Sequence, residues 1–305
     1  MADPTSGRDA PGTRPGRVPD TLRTCLRHAE SVLDQAEIEG YDVEARLLCE
    51  WVTGRSKLDF IARPDEPIHP KAVQTLDSAL EKRISGMPVH RIIGFREFYG
   101  LRLNLSEATL EPRPDTETLV DQVIDIIRQK RESEASIRLL DLGTGTGAIA
   151  LALLSMWPNA YALGVDVSSQ ALETAEKNAS LNGLSARFGA LQSNWFDKVS
   201  GKFDLIVSNP PYIRTETISQ LDIEVRAHDP LIALDGGPDG LAPYHDIESN
   251  AVHHLVPDGI VCVEIGHDQA IDVKEIFSEN RYEFIELRKD LGGRDRALAF
   301  TLKYK

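Results

Sequence analysis

The sequence predicts a doubly wound α/β sheet of seven strands, preceded by a small helical bundle and joined to it by a β-hairpin. Three observations carry this prediction. From Ile137 onward, short apolar runs alternate with amphipathic stretches. Between Asp20 and Gly86, apolar residues recur at three- and four-residue steps. Between these regions, residues 88–110 hold a partly alternating apolar run broken at Gly94 and Gly100.

Residues 1–19 are expected to form a disordered tail: they lack an apolar segment suited to a secretory signal, and Asp3, Asp9 and several prolines oppose an amphipathic transit helix. The bundle spans 20–86. Leu22, Leu26, Ala29, Leu33 and Ala36 mark a first helix ended by Gly40, and Val43, Leu47, Leu48 and Trp51 mark a second stopped near Gly54. A short helix is expected around Leu58 to Ile61. A longer one opens on Pro70, a residue suited to the first helical position, and runs through Val73, Leu76, Leu80 and Ile84. The bundle carries no catalytic-looking cluster, so its role is packing or, more sharply, substrate recognition.

A hairpin linker over 87–112 follows, with Ile92, Ile93, Phe95, Phe98, Tyr99, Leu101, Leu103 and Leu105 as its apolar residues. The main domain spans 113–305. Leu119, Val120, Val123 and Ile127 share one face of its first helix. The strands are "IRLLDLG", "AYALGVD", "ARFGALQ", "KFDLIVSN", "GIVCVEIG", "YEFIELRKD" and "RALAFTLK", the last two forming an antiparallel pair at one edge.

Composition narrows the function. With 305 residues, 41% hydrophobic and 27% charged, the chain has the profile of a globular protein of about two domains. A net charge of −14 disfavours direct nucleic-acid binding. No window approaches the roughly 18 uninterrupted apolar residues of a membrane helix, so a cytoplasmic protein with no membrane contact is expected. Cys25, Cys49 and Cys262 imply neither a disulfide framework nor a metal site, and His245, His253, His254 and His267 lack ligand spacing. No metal is expected.

Two motifs carry chemistry. "LDLGTGTGAIAL" follows a strand and opens a helix; Gly143, Gly145 and Gly147 permit close backbone approach to a ligand, with Thr144 and Thr146 between them. The G-x-G-x-G spacing is neither a dinucleotide fingerprint nor a Walker loop. Asp166 closes the next strand 23 residues after Gly143, where a carboxylate can accept from both hydroxyls of a ribose. Its competing role, capping the next helix, can fall to Ser168 or Ser169. Together these residues favour an adenosine-type ligand. At the following strand end, Asn194 can bond an adenine edge and Trp195 or Phe196 can face the ring. By type alone the two aromatics are core residues; their place on the ligand edge favours the ring.

The second motif, "SNPPY", ends the strand "FDLIV". The Asn209 side-chain carbonyl and the Pro210 backbone carbonyl can accept both N–H groups of a planar amide or amino group. Neither Pro210 nor Pro211 offers a competing donor. Tyr212 can cover the planar group with its ring. A rigid strand-ending turn would explain the prolines but not Asn209 and Tyr212.

The glycine loop, Asp166 and Asn-Pro-Pro-Tyr together resemble class I S-adenosylmethionine-dependent methyltransferases acting on nitrogen. "REFYGLRL", "EPRPDTETLV", "ALDGGPDGL", "VEIGHDQ" and "GRDRAL" extend the resemblance, over roughly 90 to 298, to the bacterial release-factor glutamine methyltransferase family (HemK/PrmC type). The resemblance implies S-adenosylmethionine as cofactor and S-adenosylhomocysteine as product. It implies methylation of the glutamine of the Gly-Gly-Gln tip of class I peptide chain release factors, at the side-chain amide nitrogen. Gly143 to Gly147, Asp166, Trp195 and Asn209 would hold the cofactor; Asn209 to Tyr212 would hold the glutamine. Arg113, Glu117 and Glu264 would line or brace the pocket, and a monomer is expected.

Two positions depart from the family pattern: Asn194 stands where Asp is frequent, and Asp229 precedes Pro230 where Glu is usual. Direct transfer is expected, because a sulfonium methyl is already activated and needs neither metal nor covalent enzyme intermediate. The alternatives are a glutamine in another translational protein such as a ribosomal protein, an amino group of nucleic acid, or a non-catalytic cofactor-binding scaffold.

Overall fold

The computed structural model describes residues 18–130, 136–278 and 281–303, so nearly all of the expected tail over 1–19 lies outside the described residues. The chain divides into two compact units on either side of the Ile93–Gly94 peptide.

The first unit holds helices α1 (Leu22–Gln35), α2 (Tyr41–Thr53), α3 (Lys57–Ala62), α4 (Pro70–Ile84) and α5 (Val89–Ile93). Thr21 caps α1 by accepting from Thr24 N, and Pro70 opens α4. Leu22, Cys25, Ala29, Leu33, Leu48, Leu76 and Leu80 form the buried core. Arg83, itself buried, pairs with Glu44 to tie α4 to α2. Val43 and Trp51, which helped mark α2 in the sequence, are 45% and 37% exposed. All three cysteines are free and buried.

The hairpin is shorter than expected. Val89–Ile93 is helical, and Ile92 and Ile93 pack on the bundle core. Only β1 (Phe95–Phe98) and β2 (Leu101–Asn104) pair, around Tyr99 and Gly100, both at positive φ (50° and 75°) as a two-residue type I′ reversal requires. Nor is the hairpin a linker. Phe98 and Leu103 are buried in the core of the second unit, and Asn104 exchanges two hydrogen bonds with the side chain of Asn178 (2.8 and 3.1 Å).

The second unit continues with α6 (Glu117–Lys130), β3 (Arg138–Leu142), α7 (Ala148–Met156), β4 (Tyr161–Asp166), α8 (Ser169–Leu181), β5 (Phe188–Gln192) and β6 (Phe203–Ser208). It closes with α9 (Ile223–Arg226), α10 (Ala242–Ala251), β7 (Leu255–Glu264), α11 (Ala270–Ser278), β8 (Tyr282–Lys289) and β9 (Asp295–Leu302). All seven expected strands form one sheet in the order β5-β4-β3-β6-β7-β9-β8. β9 runs antiparallel to both neighbours and the other pairings are parallel.

Helices cover both faces. One core gathers α6, α7 and the hairpin, and the other gathers α10 and α11. Residues Ala148 to Leu154 of α7 are buried all round, which accounts for its unbroken apolar sequence. The strand order reverses between β3 and β6, so the loops after them diverge and leave a crevice at the carboxyl edge of the sheet. Among the described residues, no helix is long and apolar enough to cross a membrane.

Candidate active site

A cavity of about 450 Å³ opens at that edge, lined among others by Gly143, Gly145, Asp166, Trp195, Asn209 and Arg113. The glycine loop forms its floor. A Cβ built on Gly143 would meet nothing within 4 Å, and one on Gly145 would meet only the Gly143 carbonyl oxygen, at 4.0 Å. A side chain there would occupy ligand space rather than protein. Both glycines hold positive φ (69° and 55°), a conformation costly for other residues.

Gly147 has a different task. Its Cβ would lie 3.1 Å from Leu151 Cδ1 and 3.3 Å from Ala175, so it permits helix packing and does not line the cavity. Thr144 and Thr146 complete the lining. Beneath the loop, buried Asp141 accepts from the Thr144 hydroxyl (2.7 Å) and Ala150 N (3.3 Å), and burial pushes its carboxyl up to about 7. Asn178 donates to the Thr146 carbonyl at 3.0 Å.

Asp166 accepts from Gly145 N at 3.0 Å through one carboxylate oxygen and from Ser168 N at 2.9 Å through the other. Each oxygen keeps a further lone pair, so the carboxylate suits a diol. Burial raises its pKa, and the bonds from Ser168 and Gly145 oppose the rise. Ser168 caps α8 through Ala171 N, as expected. After β5, Trp195 borders the cavity at φ 43°, and Asn194 lines it too. Phe196 is turned into the core, stacked on His254 with centroids 5.2 Å apart. Open glycine floor, paired-acceptor acid and aromatic edge fit an adenosine-bearing cofactor.

The Asn-Pro-Pro-Tyr frame follows β6. Asn209 and Pro211 line the cavity, and Asn209 Nδ2 donates to Thr116 Oγ1 at 3.2 Å. Pro210 is buried, and neither it nor Tyr212 is part of the lining. The Tyr212 ring packs on the core beneath α10, and its hydroxyl sits 3.5 Å from Glu264 Oε1. Burial and the nearby Glu264 charge raise the phenol's pKa. Glu264 itself is buried, which lifts its carboxyl to about 7 against the pull of Thr116 and Arg296.

Two more expected site residues find partners. Arg113 borders the cavity and binds buried Asp229 at 2.7 Å, which gives the departure at Asp229-Pro230 a structural role. Glu117 points elsewhere: it accepts from Tyr99 N at 2.8 Å and holds the hairpin turn. Thr116, Asp141 and Gln269 escaped sequence reading. All three lie inside quoted motifs, but nothing in residue type marked them. Gln269 donates to the carbonyls of Tyr212 and Gly240 (both 3.1 Å).

The glycines of "ALDGGPDGL" are explained by this frame. A Cβ at Gly236 would lie 2.8 Å from the Pro211 carbonyl oxygen, and one at Gly240 would lie 2.5 Å from that of Tyr212. Gly240 also holds φ 77°. Gly240→Ala should therefore cost about 1–3 kcal/mol of stability, read from urea unfolding. An unchanged midpoint would mean that the backbone yields freely there.

Comparison with known proteins fits this geometry. Residues 24–94 match the family described as PrmC N-terminal domain, and residues 116–226 match the methyltransferase small domain. The release factor glutamine methyltransferase of Agrobacterium fabrum is 53% identical over 280 residues, covering 92% of this chain and 97% of its own. That of Caulobacter vibrioides is 38% identical, over 91% and 95%.

The chain belongs to the release factor glutamine methyltransferase family. The fold agrees: the hMettl16 catalytic domain, solved with an RNA hairpin, superposes with a TM-score of 0.56 at 17% identity, covering 74% of this chain and 83% of that one. As a member of the family the chain is a methyltransferase. Among the described residues, no group of three or more His, Cys, Asp or Glu is placed to hold a metal ion.

Proposed function

We propose that this methyltransferase uses S-adenosylmethionine to methylate the side-chain amide nitrogen of the glutamine in the Gly-Gly-Gln motif of class I peptide chain release factors, acting as a cytoplasmic monomer. The observation that carries the reading is the placement of Asn209 on the same cavity wall system as Asp166 and the glycine loop. The name of the Agrobacterium relative supports it.

When bound, the cofactor supplies an activated methyl group. The chain's own residues do the rest. Gly143 and Gly145 admit the cofactor closely, Asp166 accepts from its ribose, and Trp195 borders its ring. An amide nitrogen is a poor nucleophile because its lone pair is delocalised. Asn209 Oδ1 and the Pro210 carbonyl accept its two N–H groups, raise its electron density and fix its direction, which is catalysis by orientation and by preorganised dipoles. The departing proton passes to water.

The test uses purified enzyme, cofactor labelled in its methyl group, and a release factor carrying Gly-Gly-Gln or Gly-Gly-Ala. Label on the first alone is expected. No label on either, with cofactor binding intact by calorimetry, would overturn the substrate and redirect the search to a glutamine in another translational protein.

A further inference from the structure

We propose that Leu231 and Ile232 form a fixed apolar lip beside the Asn-Pro-Pro-Tyr frame, and that this lip receives the polypeptide segment flanking the reactive glutamine. The inference rests on the glutamine-methylation reading above and adds a substrate contact outside the residues that hold the amide.

The two side chains are 60% and 62% exposed and adjoin each other in the single turn Leu231–Ala233. Ile232 and Ala233 also line the cavity that holds Asn209 and Pro211. A pair of large apolar side chains at the rim of such a cavity gains free energy when an incoming substrate covers it.

The lip is tied to the frame at both ends. Before it, buried Asp229 accepts from Arg113 Nη2 at 2.7 Å and from Glu111 N at 3.4 Å, which joins it to the segment where Pro112 and Arg113 line the cavity. After it, the chain that follows Tyr212 runs alongside. Ile213 N donates to the Leu234 carbonyl at 3.0 Å, Gly236 N to the Ile213 carbonyl at 2.8 Å, and the Thr215 hydroxyl to Asp235 Oδ1 at 2.7 Å. A Cβ at Gly236 would meet the Pro211 carbonyl oxygen at 2.8 Å, so lip segment and frame are in backbone contact. A segment that presents its amide to Asn209 therefore comes up against the lip.

The surroundings favour a polypeptide as occupant. The glycine loop and Asp166 follow β3 and β4, whereas the lip belongs with Asn209 to the chain after β6. Residues 213–240 hold six carboxylate residues and two arginines, a balance that repels a phosphate backbone. In the glutamine reading two glycines precede the reactive residue, and without side chains their main chain can lie close against Leu231 and Ile232.

Leu231→Ser, Ile232→Ser and the double variant remove the apolar surface, and Ile232→Val keeps it. Both side chains are exposed, so the urea midpoint should stay that of the unsubstituted enzyme. In methyl transfer to a Gly-Gly-Gln release factor, the double variant is expected to raise KM for the release factor by about tenfold or more, with kcat kept within about threefold. The valine variant should keep KM within about twofold, and the calorimetric Kd for S-adenosylmethionine should hold within about twofold throughout. A rise in KM below about threefold in the double variant would overturn the proposal. A cofactor Kd that weakens as much as KM rises would assign the lip to the cofactor and overturn it too. So would a dimer of the unsubstituted enzyme in sedimentation velocity that the double variant abolishes, since a second copy would then cover the lip. Inactivity of the unsubstituted enzyme would instead defeat the substrate reading, and this inference with it; an active enzyme whose KM ignores the lip defeats this inference alone.

Discussion

Replacing Asn209 with alanine should lower kcat for methyl transfer by about 10²–10³-fold, the range seen when one preorganised polar group at a reacting centre is removed. The loss follows from position. Asn209 lines the cavity at the end of β6, and its amino group is already engaged by Thr116, which leaves Oδ1 for the substrate. Truncation removes the acceptor that orients the amide nitrogen and leaves the glycine floor and Asp166 in place. Steady-state kinetics with a release factor, paired with calorimetric titration of the cofactor, checks this. A fall in cofactor affinity as large as the fall in kcat would show that Asn209 serves the cofactor more than the amide.

Asp166→Ala should weaken cofactor affinity by about ten- to 150-fold, the equivalent of roughly 1.5–3 kcal/mol for hydrogen bonds to a charged group. The carboxylate has two duties, because it also receives Gly145 N and Ser168 N. Alanine therefore loses both the diol contact and a restraint on the glycine loop. Asp166→Asn keeps one acceptor but turns a donor toward the other side, so it should fall between alanine and the original residue. Calorimetry on the three proteins gives the order. An affinity unchanged in the alanine variant would remove Asp166 from the cofactor site.

Much of this architecture was legible because it depends on local periodicity. The alternating runs after Ile137 gave all seven strands, and the glycine loop and Asp166 lie where the strand–loop–helix pattern puts them. The errors have physical causes. Ile92 and Ile93 read as strand residues, yet five residues from Val89 form one turn of helix packed on the bundle, a tertiary preference that outweighs β-branching. Glu117 belongs to a quoted motif, but one turn of chain after Arg113 carries it round to the hairpin. The contact of the Tyr212 hydroxyl with the buried Glu264 carboxylate on β7 was also beyond the sequence, because it joins residues 52 positions apart. Thr116 could not be found by residue type, since its side-chain contact is with Asn209, 93 positions away in sequence.

The exchange of bonds between Asn104 and Asn178 bears on where this polypeptide can be cut. The same Asn178 amide steadies the Thr146 carbonyl within the cofactor floor. A fragment starting at Gly94 retains that clasp together with Phe98 and Leu103. One starting at Arg113 discards all three, strips the Asn178 carbonyl of its donor and opens a hole in the apolar layer over α8. Cofactor titration of the two fragments should find binding in the longer and little in the shorter, so the autonomous catalytic module begins at the hairpin, ahead of the first motif that announces its chemistry.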